Sequence, residues 1–248
     1  MTIDTDNTKR ITGAIESKIG EPVQKVDIAG MAKGYKGFYC FDGKRVRIEV
    51  DCSQPAGLAE AVFVHEGLHV LLLLEGYPGV TVNSAKAANL EYEAMESIKA
   101  AFQSVIDHPE VIRRMASEFD LEMEPYLDME AQQKQLRLEE YAAKPSTKKD
   151  IDYWFCRQQD ILWGLDYYNF GKAREESLLK TFSSQFPDAC RYCKKLYGQV
   201  GQRLSTPHEA LSSAKLIRTQ IKLYAKKNNA SAINNYWDAL GIEPYVVT

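Results

Sequence analysis

An apolar stretch at residues 61–74 constrains the fold of this chain more than any other feature. Its 14 residues include only three ionisable side chains, His65, Glu66 and His69. The stretch is too short and too charged to cross a bilayer, so we expect a buried helix of a water-soluble protein. Placing two imidazoles and a carboxylate in one apolar turn is costly unless they have a compensating partner. The stretch therefore predicts either a bound cation or a set of buried hydrogen bonds.

The spacing of the three polar residues favours the cation. Residues at i and i+4 lie on one face of a helix, so His65 and His69 can direct ring nitrogens at the same tetrahedral ion. Glu66 lies about 100° further round the helix, close enough to take a proton from a metal-bound water and pass it to a leaving amine. We predict a Zn²⁺ site with His65 and His69 as ligands and Glu66 as the catalytic base. The alternative is a core helix whose histidines bond to carbonyls while Glu66 pairs with an arginine.

A third protein ligand is expected because a catalytic zinc usually has three, plus one water. If the chain turns near residues 77–84 and returns as an antiparallel helix, it regains the level of His69 close to Glu91 and Glu93. Glu91 lies in the middle of the apolar arc of that helix, whereas Glu93 lies on the opposite side. Glu91 is therefore the predicted third ligand, and Asp107 and His108 are the reserves.

The hydrophobic pattern along the chain predicts an α+β fold. A first helix at 7–19 precedes strand-like runs near 23–28, 37–41 and 44–50, and Asp42-Gly43 is typical of a hairpin turn between the last two. Helical spacing follows throughout the rest of the chain, at residues 55–75, 85–107, 109–118, 126–142, 149–165, 173–185 and 207–227. We predict a domain at 1–110 with a small antiparallel sheet and the active-site helices, and an all-helical domain at 111–248.

Composition limits the partners and the compartment. The 31 Lys+Arg residues nearly balance 34 Asp+Glu, for a net charge of -3, so we expect no general affinity for nucleic acid or for an anionic membrane. The first residues lack the apolar core of a secretory signal. Five scattered cysteines argue against a disulfide framework, and Cys190-x-x-Cys193 lacks the second pair of a zinc ribbon. We therefore expect a cytoplasmic protein with reduced thiols.

The motif His65-Glu66-Gly67-Leu68-His69, followed by Glu91, resembles the gluzincin branch of zinc metallopeptidases, and most of all the cytoplasmic peptidases of the ImmA/IrrE type. The resemblance covers residues 35–108, and it fades after Ala94. It implies a zincin-like N-terminal part, zinc, Glu66 as general base and peptide hydrolysis. By analogy, it also implies that an exposed strand at residues 44–50 pairs with an extended substrate.

The predicted function is that of a zinc metallopeptidase acting on a peptide or protein substrate. The helical C-terminal part would then determine specificity or bind a protein partner. The alternative is a non-catalytic binding or regulatory protein on a zincin scaffold, in which the aromatic faces of the helical part recognise the partner.

Overall fold

The computed structural model describes residues 4–31, 36–143, 151–201 and 204–244. The predicted α+β class is confirmed, and 71% of the structure is helical. The helices are α1 (Asp6–Ile19), α2 (Ala56–Leu74), α3 (Ser84–Ala87), α4 (Tyr92–Glu118), α5 (Met123–Ala143), α6 (Ile151–Asp166), α7 (Lys172–Gln185), α8 (Pro187–Val200), α9 (Pro207–Lys227) and α10 (Asn234–Ala239). The strands are β1 (Gln24–Ile28), β2 (Gly37–Phe41), β3 (Val46–Asp51), β4 (Pro78–Val82) and β5 (Leu240–Pro244). Short 3₁₀ turns occupy Tyr167–Asn169 and Ser231–Ile233.

The chain forms two compact units that alternate along the sequence. Among the described residues, the first unit comprises 4–31, 36–77 and 110–129, and the second comprises 78–109, 130–143, 151–201 and 204–244. Helices α4 and α5 each contribute residues to both units. The sequence predicted one boundary near residue 110, and that domain assignment stays a prediction.

Strands β1, β2 and β3 form a mixed sheet in the first unit, in the order β1-β3-β2. Strands β2 and β3 are antiparallel, and Asp42 Oδ1 accepts the N–H groups of Lys44 (3.0 Å) and Arg45 (2.8 Å) at the turn, which confirms the predicted hairpin. Strand β1 pairs with β3 in parallel, so the prediction of a wholly antiparallel sheet was wrong. The prediction that residues 44–50 form an exposed edge was also wrong, because β3 has a partner on each side.

Helix α2 packs against α1 and against the sheet in the core of the first unit. It has 19 residues and is apolar enough by length and composition to cross a membrane, but 72% of its apolar window is buried inside the protein. This burial is typical of the core helix of a water-soluble protein. Ile11 and Ile15 of α1, together with Val46, Ile48 and Val50 of β3, are at most 1% exposed. Burial in β3 therefore alternates from Val46 to Val50, with Arg47 exposed and Glu49 half-buried between the three apolar residues.

The second unit contains most of the helical part, and two predictions about it were wrong. Residues 85–118 were expected to form two helices separated at Pro109, but α4 continues through this proline to Glu118. A proline removes one backbone N–H donor and does not always end a helix that is packed on both sides of it. Residues 111–248 were also expected to be all helical, but β5 pairs with β4 in an antiparallel ladder that joins Val80 to Ile242.

Candidate metal centre

Helix α2 places His65 and His69 one turn apart on the same face. Their ring centroids are 4.6 Å apart and the ring planes are nearly perpendicular, at 86°. His65 is 7% exposed and His69 is 4% exposed. The i, i+4 arrangement predicted from the sequence is therefore present, and both imidazoles are buried, where a polar ring nitrogen needs a partner.

Glu66 lies beside this pair. Its Oε1 atom is 3.2 Å from Nδ1 of His65, and 14% of its side chain is exposed. The contact uses Nδ1, so Nε2 is the nitrogen that His65 can offer to a cation. The carboxylate therefore lies directly beside the imidazole of His65 and keeps partial access to solvent.

Two tyrosines flank the histidine pair within the first unit. The ring of Tyr39, in β2, is stacked on that of His69 with 5.6 Å between centroids and 16° between planes. Tyr126, in α5, is 1% exposed, and its ring centroid is 5.5 Å from that of His65. These aromatic neighbours limit the movement of both imidazoles. Neither tyrosine could be identified from the sequence, because each lies far along the chain from the HExxH motif formed by residues 65–69.

His108 completes a group of three histidines. The ligand atoms that His65, His69 and His108 can offer all lie within 4.8 Å of one another, and all three residues are buried. His108 lies on α4, which continues without interruption through Pro109 to Glu118. These three buried histidines are close enough to hold one metal ion.

The predicted third ligand, Glu91, is not part of this group. It is exposed and precedes the first residue of α4, so its carboxylate faces water and not an apolar core. The reserve ligand His108 is the residue that lies with His65 and His69. The potential ligand atoms that the structure brings together are therefore three imidazoles, and the assignment of the metal ligands stays a prediction.

Asp107, the other reserve ligand, is buried and forms hydrogen bonds within the protein. Its side chain is fully buried, and Oδ2 accepts a hydrogen bond of 2.8 Å from Nε2 of Gln103. Gln103 also accepts the N–H of Val80 (2.7 Å) and donates to the carbonyl of Pro78 (3.2 Å). Asp107 thus supports the attachment of α4 to strand β4.

The expected place of Glu91 in the apolar arc of the returning helix was wrong for a definite reason. The prediction assumed that one loop joins α2 to the returning helix, which would bring the start of that helix level with His69. Residues 78–87 instead form β4 and the short helix α3, and α4 extends for 27 residues, or about 40 Å. The available signal was the place of His108 at the edge of the apolar arc of this helix, but Pro109 was interpreted as its end.

Comparisons with known proteins identify no relative of this chain. No protein-family model matches the chain, and no curated protein or solved structure matches it at a significant level.

Proposed function

We propose that this protein is a zinc-dependent hydrolase, with a peptide bond as the substrate that suits it best. His65, His69 and His108 would hold the ion, and Glu66 would act as the general base. The observation that carries the proposal is the convergence of three buried imidazoles with a carboxylate directly beside them.

The donor set favours zinc. Imidazole nitrogens are good ligands for Zn²⁺, and three protein ligands with one open position are typical of its catalytic sites. Three neutral ligands would leave the full charge of the ion uncompensated. A zinc ion at this site would lower the pKa of a bound water and polarise the carbonyl of the substrate. Glu66 would accept the proton and deliver it to the leaving amine.

An extended peptide suits the surroundings of the site. Strand β2 is an outer strand of the three-stranded sheet, and its residue Tyr39 contacts His69. A peptide that added to the outer side of β2 would lie along the sheet beside α2, held by main-chain hydrogen bonds. This strand replaces residues 44–50 as the candidate for substrate pairing.

A second function is favoured by the burial of the site. All three histidines are at most 7% exposed, which also suits a structural metal in a binding or regulatory protein. In that case the ion would have a fourth protein ligand and no exchangeable water. The helical C-terminal part would then recognise a partner protein through its exposed side chains.

Metal analysis combined with two variants tests these functions. We expect chelator-free protein to contain one zinc per chain, and H65A to contain none. E66Q should retain zinc but lose hydrolysis of a quenched fluorescent peptide library by at least 10²-fold. Absence of zinc from the wild type would overturn both functions. Zinc without hydrolysis in the wild type would favour the structural role, and undiminished hydrolysis by E66Q would remove Glu66 from its role.

A further inference from the structure

We propose that Asp166 is a positioning residue that orients His108 as a metal ligand. The inference rests on the proposed zinc site and goes beyond the set of direct ligands. It assigns a role to a carboxylate 58 residues away from the histidine along the chain.

The contact between these two residues is short and buried. Oδ1 of Asp166 lies 2.7 Å from Nδ1 of His108, and the side chains are 1% and 7% exposed. A neutral imidazole carries one N–H, and an ionised carboxylate can only accept hydrogen bonds. The contact therefore selects the tautomer with its proton on Nδ1 and leaves the lone pair of Nε2 for a cation.

The carboxylate of Asp166 is itself held in place. Nζ of Lys134 lies 3.0 Å from Oδ2, and Nδ2 of Asn169 donates to Oδ1 at 3.0 Å. Lys134 is also buried, at 7% exposed, and supplies the opposite charge that an ionised carboxylate needs in this environment. Asp166 is the last residue of α6, so the rigid end of a helix fixes its position.

All four members of this arrangement belong to the second unit. His108 is therefore fixed in rotation and tautomer by its own unit before any ion binds. Partners of this kind typically affect metal affinity by 10–100-fold when they are removed. An asparagine in place of Asp166 offers only a neutral amide oxygen to the N–H of Nδ1, which is a weaker acceptor than a carboxylate, and its NH2 group would favour the opposite tautomer wherever it faces the ring.

The test measures the affinity of the full chain for zinc alone, by competition with a chromophoric chelator. We expect D166N to bind zinc 10–100-fold more weakly than the wild type, and D166E to recover part of the loss. The matched control is D160N, which changes another buried aspartate of the same helix. Asp160 pairs with Arg157 at 2.9 Å and should affect zinc affinity by less than twofold.

The outcomes separate this inference from the proposed function. If wild-type protein binds no zinc, both are overturned. If the wild type binds zinc, H108A weakens binding and folded D166N binds normally, the role of Asp166 is overturned and the zinc site stands. Equal losses in D166N and D160N would also overturn that role, because they would indicate a general loss of packing.

A measurement on the unmodified protein keeps the inference testable if D166N fails to fold. Nitrogen-15 NMR of the zinc-loaded chain, with H108Q used for assignment, reports which ring nitrogen of His108 carries the proton. We expect the proton on Nδ1 and the metal on Nε2. A proton on Nε2 would overturn the inference.

Discussion

Gly37, in strand β2, lies directly against the side chain of Glu66 on helix α2. A Cβ atom at this glycine would be 2.9 Å from Cγ of Glu66 and 2.4 Å from Cγ1 of Val62. Real Cβ contacts are essentially never this short, so any side chain at position 37 must displace one of these neighbours. The position of the proposed general base therefore depends on a residue of the adjacent strand.

This relationship predicts the effect of G37A. The added methyl group should push Glu66 away from His65, lowering peptide hydrolysis by 10-fold or more while zinc stays bound. Overpacking should also lower the free energy of unfolding by about 1–3 kcal/mol. G57A is the matched control, because a Cβ at Gly57 of helix α2 meets nothing within 4 Å. Hydrolysis by G37A equal to that of G57A would contradict the assigned position of Glu66.

The effect of zinc on thermal stability should show whether His108 or Glu91 is the third ligand. A cation that binds only the folded state at about 1,000 times its dissociation constant stabilises that state by about 4 kcal/mol. We expect the rise in melting temperature on zinc addition to be unchanged in E91A and to be mostly lost in H108A. Differential scanning fluorimetry with and without a chelator measures both. Loss of the shift in E91A alone would restore the carboxylate ligand predicted from the sequence.

Gly67, within the HExxH motif, should be required for the contact between two helices. A Cβ there would lie 2.6 Å from Cγ1 of Ile11 on helix α1. We expect G67A to lower the free energy of unfolding by about 1–3 kcal/mol and I11A to lower it by about 2–5 kcal/mol. Because I11A makes room for the added methyl group, the double variant should lose less stability than the sum, by at least 0.5 kcal/mol. Urea denaturation of the four proteins tests this, and strict additivity would refute it.

Asp51 should cause the free energy of unfolding to fall at acid pH. The pKa of Asp51 is lowered, mainly by the hydrogen bond from the hydroxyl of Ser53. Burial acts in the opposite direction and raises this pKa. The N–H groups of Ser53 and Gly30 and the charge of Lys36 lower it further. A lowered folded-state pKa gives stability that is fully present above the unfolded value of about 4 and is lost as pH falls through the folded value. Between pH 7 and pH 3, the free energy of unfolding should therefore fall further in the wild type than in D51N. Parallel curves would exclude this contribution.

The five cysteines should differ in reactivity. Cys40 is exposed, whereas Cys190 and Cys193 are buried, and burial raises the pKa of both buried thiols. Since the thiolate is the reactive form, iodoacetamide should label Cys40 quickly and leave the buried pair unmodified until the protein unfolds. Mass spectrometry of native and guanidinium-treated samples maps the labels. Fast native labelling of Cys193 would contradict its burial in α8.

Several parts of the fold follow from local signals in the sequence, including the predicted hairpin. Gly20, in the left-handed region at φ 74°, ends α1, and Thr206 begins α9 by accepting the N–H of Glu209, with Pro207 at the first helical position. Asp42 forms the hairpin turn. Each of these features depends on residues within a few positions of one another, so the sequence contains the whole interaction.

Features that depend on distant residues were not predictable in the same way. The pattern of α2 indicated His65 and His69 as a pair, but the third histidine depends on the path of the chain between α2 and α4. The carboxylate of Asp166 meets His108 only because α6 returns to α4. Likewise, β4 lacked a visible partner because β5 follows it by about 160 residues.

The pairing of β4 with β5 has a consequence for how the protein is made. At about 5–20 residues per second, a ribosome needs roughly 8–30 s to add the residues that separate the two strands. During that interval the nascent β4 exposes the backbone groups that β5 later covers, including those of Val80. An unpaired strand edge can pair with other chains, so slowing translation late in the message would prolong the period in which β4 is open to such pairing.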